Sequence, residues 1–158
     1  MDRAIRITLN EVKYDVEFET WKKEKVLGQA TKGEPIDTAY KDDKAEDWLI
    51  RQIQDAINNI YSECKWCTHD DTELATDEIL CNPTEWTIHF RFSPQWFGSL
   101  RAMTSAIHDY VRDYVLARWS LLTMPDMATV YVSSAEAHLR KVYNEARSER
   151  VQLEPFRL

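Results

Sequence analysis

Glycine and proline are scarce in this chain, with three and five among 158 residues. So few breakers argue against a turn-rich all-β fold and against a disordered chain. They also leave little material for a phosphate-cradling loop, and no G-x-S-x-G, P-loop or G-x-G-x-x-G pattern occurs. No apolar run approaches the roughly 18 residues that a membrane-spanning helix needs. The opening Met1-Asp2-Arg3-Ala4-Ile5-Arg6 lacks the apolar core of a signal peptide, so synthesis in the cytoplasm is expected. Thiols stay reduced there, and three cysteines, an odd number, do not suggest a disulfide framework. Positive charge is also short, since 20 Lys and Arg face 27 Asp and Glu for a net −7. Binding to nucleic acid by counterion release is therefore not expected. The densest basic stretch, Trp21-Lys22-Lys23-Glu24-Lys25, is short, carries a Glu and reads as a solvated segment.

Aromatics are plentiful: six Trp, seven Tyr and five Phe. Such side chains bury large areas and are favoured at interfaces. The length suits a single domain over 1–158 with a real core.

The first element is ambiguous. Ile5, Ile7 and Leu9 alternate with polar residues as in a strand. Val12, Tyr14, Val16 and Phe18 alternate too, which allows a hairpin across Asn10-Glu11. Thr8-x-x-Glu11 instead has the form of a helix capping box, with Leu9, Val12 and Val16 on one helical face. A brief strand followed by a short helix is the preferred reading. Residues 28–44, with Gly28, Gly33 and Pro35, read as an exposed loop.

Leu49, Ile53, Ala56, Ile57 and Ile60 predict a helix over 45–63, with acidic residues at its start where the helix dipole favours them. A polar loop over 64–84 follows. Residues 85–92 alternate strictly, with Trp86, Ile88, Phe90 and Phe92 facing one way, as in a strand with one buried face. Ser93-Pro94 has the chemistry of an N-cap and N1 pair, and predicts a helix from there to about Leu122. Thr123-Met124-Pro125-Asp126 breaks it. A last helix over about 126–147 buries Ala128, Tyr131, Ala135, Leu139, Val142 and Ala146. So short a break implies an antiparallel helix pair. The expected class is thus mainly α: a helical bundle with a long antiparallel C-terminal pair, one or two short strands, and extended loops or arms, including a C-terminal arm at 148–158.

Chemistry-bearing patterns are few. Cys64-x-x-Cys67-x-His69 with a later Cys81 supplies zinc-ligand types, although structural zinc sites usually pair two knuckles and here the second is a single cysteine. Buried, reduced thiols at a helix end are the plainer reading. A redox motif would open a helix, where the dipole lowers the thiol pKa, and this one closes a helix. Among the histidines, His108 reads as a polar group at a helix interface and His89 as an exposed strand residue. His69 and His138 form no metalloprotease pattern with them. No catalytic constellation emerges, and no cofactor is expected. Trp86, Trp96, Phe97, Tyr110, Tyr114, Trp119 and Tyr131 are mostly assigned to the core. Trp21, Trp66 and Phe156, in loops and tail, remain as candidate contacts with neighbouring chains.

The stretch Tyr114-Val-Leu-Ala-Arg-Trp-Ser-Leu-Leu-Thr-Met-Pro-Asp126, followed by Tyr131, Ala135, Leu139 and Ala146-Arg147, resembles the head–tail adaptor proteins of tailed phages. Podovirus tail adaptors and helical connectors share its helix, short break and Y-x3-A-x3-L pattern. The opening Ile7-Thr-Leu-Asn-Glu-Val-Lys-Tyr-Asp-Val16 is similar to that of virion proteins from phages of gut Bacteroidetes, crass-like phages included. Trp86–Phe90 and Ile107–Val111 fit the same group. The resemblance implies a structural virion protein made in the host cytoplasm. It would form a ring, commonly a dodecamer, that binds the portal and other tail proteins. DNA would pass through the ring without being specifically bound, and no membrane would be involved. The long loop and the Cys cluster depart from the pattern. An alternative of another class is a small zinc-stabilised binding or regulatory protein built on Cys64, Cys67, His69 and Cys81.

Overall fold

The computed structural model describes residues 1–27, 43–69 and 83–149. Within them the order is β1 (Asp2–Thr8), α1 (Leu9–Leu27), α2 (Asp43–Glu63), β2 (Thr68–His69), β3 (Glu85–Arg91), α3 (Leu100–Thr123) and α4 (Pro125–Ala146). The protein is mainly helical, with a small three-stranded antiparallel sheet in the order β1-β3-β2.

The sheet follows from period-two patterning. Trp86, Ile88 and Phe90 of β3 are buried while Glu85, Thr87 and Arg91 are exposed. In β1, Ile5 and Ile7 point the same way and lie opposite Ile88 and Trp86. Two rows of inward apolar side chains thereby share one face. β2 adds two residues, Thr68 opposite Phe90 and His69 opposite His89. The segment from Cys64 is therefore a turn and a strand before residues 70–82, where the expected loop lies outside the described residues. The loop expected at 28–44 likewise lies outside them, except that Asp43 and Lys44 begin α2.

The hairpin considered across Asn10-Glu11 does not form. β1 pairs with β3, and the chain enters a helix of 19 residues directly from Thr8. The Thr8 hydroxyl donates to the Glu11 carboxylate at 3.2 Å, and the Leu9 N–H donates to the Thr84 carbonyl at 2.9 Å. Leu9, Val12, Val16 and Thr20 then form the buried stripe of α1.

The helix expected from Ser93-Pro94 starts at Leu100 instead. Ser99 is its N-cap, with extended backbone and a side chain that accepts from the Ala102 N–H at 3.1 Å. Residues 93–99 serve a different purpose. Trp96 stacks on Phe92 with ring centres 4.2 Å apart and donates its indole N–H to the Glu145 carbonyl at 2.9 Å. The Phe97 N–H donates to the Ser148 carbonyl, the Ser99 N–H to the Glu145 carboxylate, and the Ser93 hydroxyl to the Glu149 carboxylate. This strap ties the start of α3 to the end of α4. It also holds Ser148 and Glu149, the described part of the expected C-terminal arm. Residues 150–158, Phe156 among them, lie outside the described residues.

α3 and α4 are joined through Met124 alone and lie antiparallel, with the start of one strapped to the end of the other. Ala128, Tyr131, Ala135, Val142 and Ala146 of α4 are buried against α3, and Leu139 packs at the edge. The core is continuous: Ile5, Ile7, Val12, Val16, Ile53, Ile60, Phe90, Met103, Ile107 and Leu116 belong to one cluster.

Candidate functional site

Three places concentrate chemistry-bearing side chains. The first is the turn after α2. Cys64 and Cys67 are both buried, and the Cys67 N–H donates to the Cys64 carbonyl at 2.9 Å. The Cys67 thiol donates to the Cys64 sulfur, which holds the Cys64 pKa below its ordinary value and pushes that of Cys67 up. His69 stands on the neighbouring strand with its ring 5.8 Å from that of His89. His89 is half-buried rather than an exposed strand residue. Among the described residues no group of three or more His, Cys, Asp or Glu converges as a metal site. Cys81, the fourth member of the candidate set, lies outside them.

The second place is the joint between α1 and α3. The Asp15 carboxylate and the His108 Nε2 are 2.6 Å apart, both partly buried. They lie beside a cleft of about 480 Å³ between β1, α1 and α3, with Arg6, Tyr14 and Ser105 on its walls. Deeper in the helix pair, Asp113 is buried, with Arg112 Nε at 2.9 Å and His138 Nε2 at 3.5 Å. Burial works against the Arg112 charge, but the hydrogen bond and the negative charge of Asp113 outweigh it and raise the guanidinium pKa. These groups are used on one another and join helices.

The third place is the solvent face of α1. Among its described side chains the exposed ones are Asn10, Glu11, Tyr14, Phe18, Trp21 and Lys22, a stripe at helical spacing opposite the buried one. That position normally carries polar residues. Here Tyr14 is 66%, Phe18 46% and Trp21 50% exposed. Their rings follow one another at centre distances of 6.4 Å and 6.0 Å. The sequence alone points to Trp21 and not to Tyr14 or Phe18, because their i, i+4, i+7 spacing with Trp21 is legible only once the segment is known to be helical.

Trp66 is also half exposed, and its ring meets Tyr143 edge-on at 6.4 Å. Of the aromatics assigned to the core, Trp86, Tyr110 and Tyr131 are buried and Trp96, Tyr114 and Trp119 are half-buried. Phe97 is exposed, because its backbone rather than its ring is used in the strap. At the turn between α3 and α4, Leu121, Leu122 and Val130 are exposed as well.

Fold and surface together define a mainly helical protein with a small sheet and a row of exposed aromatic rings on one helix. Among the described residues no helix is long and apolar enough to cross a membrane. No family model, curated protein or solved structure matches the chain.

Proposed function

We propose that this protein is a structural head–tail adaptor of a tailed phage, one copy of a ring that joins the portal to the tail. The observation that carries the reading is the exposed row Tyr14, Phe18 and Trp21 on α1. Aromatic side chains are enriched where protein surfaces meet, and such a row is costly to leave in water. The antiparallel pair α3–α4, whose sequence carries the resemblance to adaptors, supports the same reading. The work of such a protein is assembly rather than turnover. Its interfaces repeat head to tail and close as a ring, a dodecamer if the resemblance holds. Portal and other tail proteins are its partners and the virion its location. A net charge of −7 suits a conduit that lets DNA pass without gripping it.

The test is to tag the protein during phage production and identify what co-purifies. Recovery of portal and tail proteins in a particle-sized complex is expected. Recovery of host proteins alone would overturn the reading.

One observation favours the zinc-stabilised alternative: the paired thiols of Cys64 and Cys67 in a tight turn. A stoichiometric zinc in the purified chain, with loss of fold on chelation, would establish it.

A further inference from the structure

The solvent face of α4 differs from that of α1 in the way one packing surface differs from its complement. Thr129, Val130, Ser133, Glu136, Ala137, Arg140, Lys141 and Asn144 are exposed along it, after Asp126 in its first turn. Its middle is small and weakly polar, with Ser133 and Ala137 one turn apart. Small residues on a helix leave hollows that large side chains on a facing helix can fill.

The described charges along both stripes come in the same order. On α1, Glu11 comes first, the rings follow, and Lys22 stands beyond them. On α4, Asp126 comes first, Val130, Ser133 and Ala137 follow, and Arg140 and Lys141 close it. Parallel packing would set acid against acid and base against base. Antiparallel packing sets Glu11 against Arg140 and Lys141, and Lys22 against Asp126, with the rings over the small residues. The lengths agree: at about 1.5 Å per residue, Glu11 to Lys22 spans about 17 Å and Asp126 to Arg140 about 21 Å. Long basic side chains cover the difference. Arg140 and Lys141 make no ion pair among the described residues, whereas Lys22 stands 3.9 Å from Glu19 in an exposed pair. Surface pairs of that kind exchange partners at little cost. Both faces are exposed in the same chain, so they can meet only between chains.

We propose that the solvent face of α1 in one copy packs antiparallel on the solvent face of α4 in the next. The contact joins two different surfaces, so it propagates head to tail and closes only as a ring. This rests on the ring reading above and supplies its subunit contact.

Two single variants of the full chain, each also carrying Cys81→Ser, test it: Phe18→Cys and Ser133→Cys, which face each other when Glu11 lies against Arg140. One is given a mass tag, and the two are mixed and oxidised. Both positions are exposed, and unchanged thermal unfolding verifies the fold. The expected product is the mixed 18–133 dimer, at least tenfold over like-with-like dimers. In a separate arm, Arg140→Glu with Lys141→Glu weakens association at least tenfold, and Glu11→Lys in the same chain restores part of it. Predominance of like-with-like dimers overturns the proposal, because it reveals a symmetric contact. A monomer by light scattering that yields no cross-link overturns it too. Oligomers without the 18–133 link overturn this contact while leaving the ring reading intact. Absence of portal in the co-purification defeats the adaptor reading without touching the cross-link result.

Discussion

Asp15 and His108 stand 93 positions apart in sequence, yet the carboxylate of one lies 2.6 Å from the Nε2 of the other. The pair ties the middle of α1 to α3, beside the buried Val12 and Val16. In a double-mutant cycle of Asp15→Asn and His108→Gln, a coupling of about 0.5–1.5 kcal/mol is expected from denaturant unfolding. The partial exposure of both side chains keeps it at that modest level. Additive effects would mean that the two groups meet without holding the helices.

A larger effect belongs to Asp113, a residue 3% exposed whose carboxylate accepts from the Ser134 hydroxyl at 2.5 Å. It binds α3 to α4 at their middles and balances Arg112. Asp113→Ala leaves the partly buried guanidinium and the hydroxyl without that acceptor, and is expected to cost about 3 kcal/mol. Asp113→Asn keeps an acceptor for Ser134 and costs less, about 1–2 kcal/mol. Urea unfolding gives both values. An alanine variant as stable as the parent would show that the network contributes nothing net.

Legibility of the fold tracks sequence distance. The strand at Trp86–Phe92 and the helices around Leu49–Ile60 and Met103–Val142 announce themselves because one buried face fixes one period. Val12, Tyr14, Val16 and Phe18 fit two periods. What decides between them is the pairing of β1 with β3, some eighty residues away. Ser93-Pro94 carries cap chemistry, but the Ser93 hydroxyl is used on Glu149 and the cap passes to Ser99. Asp15–His108 and Trp96–Glu145 depend on contacts that no local pattern encodes. The aromatic face of α1 was hidden for the same reason, since Tyr14 and Phe18 form a row with Trp21 only on a helix.

Tyr131 gives the fold a sensitivity to alkali. Burial, followed by the negative charges of Glu19 and Asp113, raises its pKa from 10 to about 12. A raised value means that the folded state holds the proton more tightly. The associated stability is fully present below the unfolded pKa and is lost as pH rises through the folded one. Tyr131→Phe has no such proton to lose. The stability of the parent relative to this variant should therefore decline between about pH 10 and about pH 12, as measured by urea unfolding at a series of pH values. A difference independent of pH would show that the hydroxyl ionises equally in both states.

Gly98 is required by the strap. A Cβ there would stand 2.4 Å from the Glu145 carbonyl oxygen and 2.6 Å from the Trp96 Nε1, the two atoms that bond to each other. The backbone oxygen belongs to the last turn of α4 and has little room to yield. Gly98→Ala is expected to destabilise by about 1–3 kcal/mol through overpacking, and to raise amide exchange at Phe97 and Ser99. Unchanged stability would mean that the strap is not tight at this point.

The two faces of α1 should respond oppositely to substitution. Val16 is fully buried, and Val16→Ala is expected to cost about 2 kcal/mol while leaving association intact wherever the chain remains folded. Phe18 and Trp21 are 46% and 50% exposed, and changing both to Ser should alter unfolding free energy by less than about 1 kcal/mol. The same double variant should abolish self-association in light scattering and reduce recovery of portal and tail proteins. Loss of stability without loss of association would assign these rings to the fold and remove the observation on which the adaptor reading stands. Loss of association at constant stability would assign them to assembly, because a surface that the monomer does not need is then maintained for another chain.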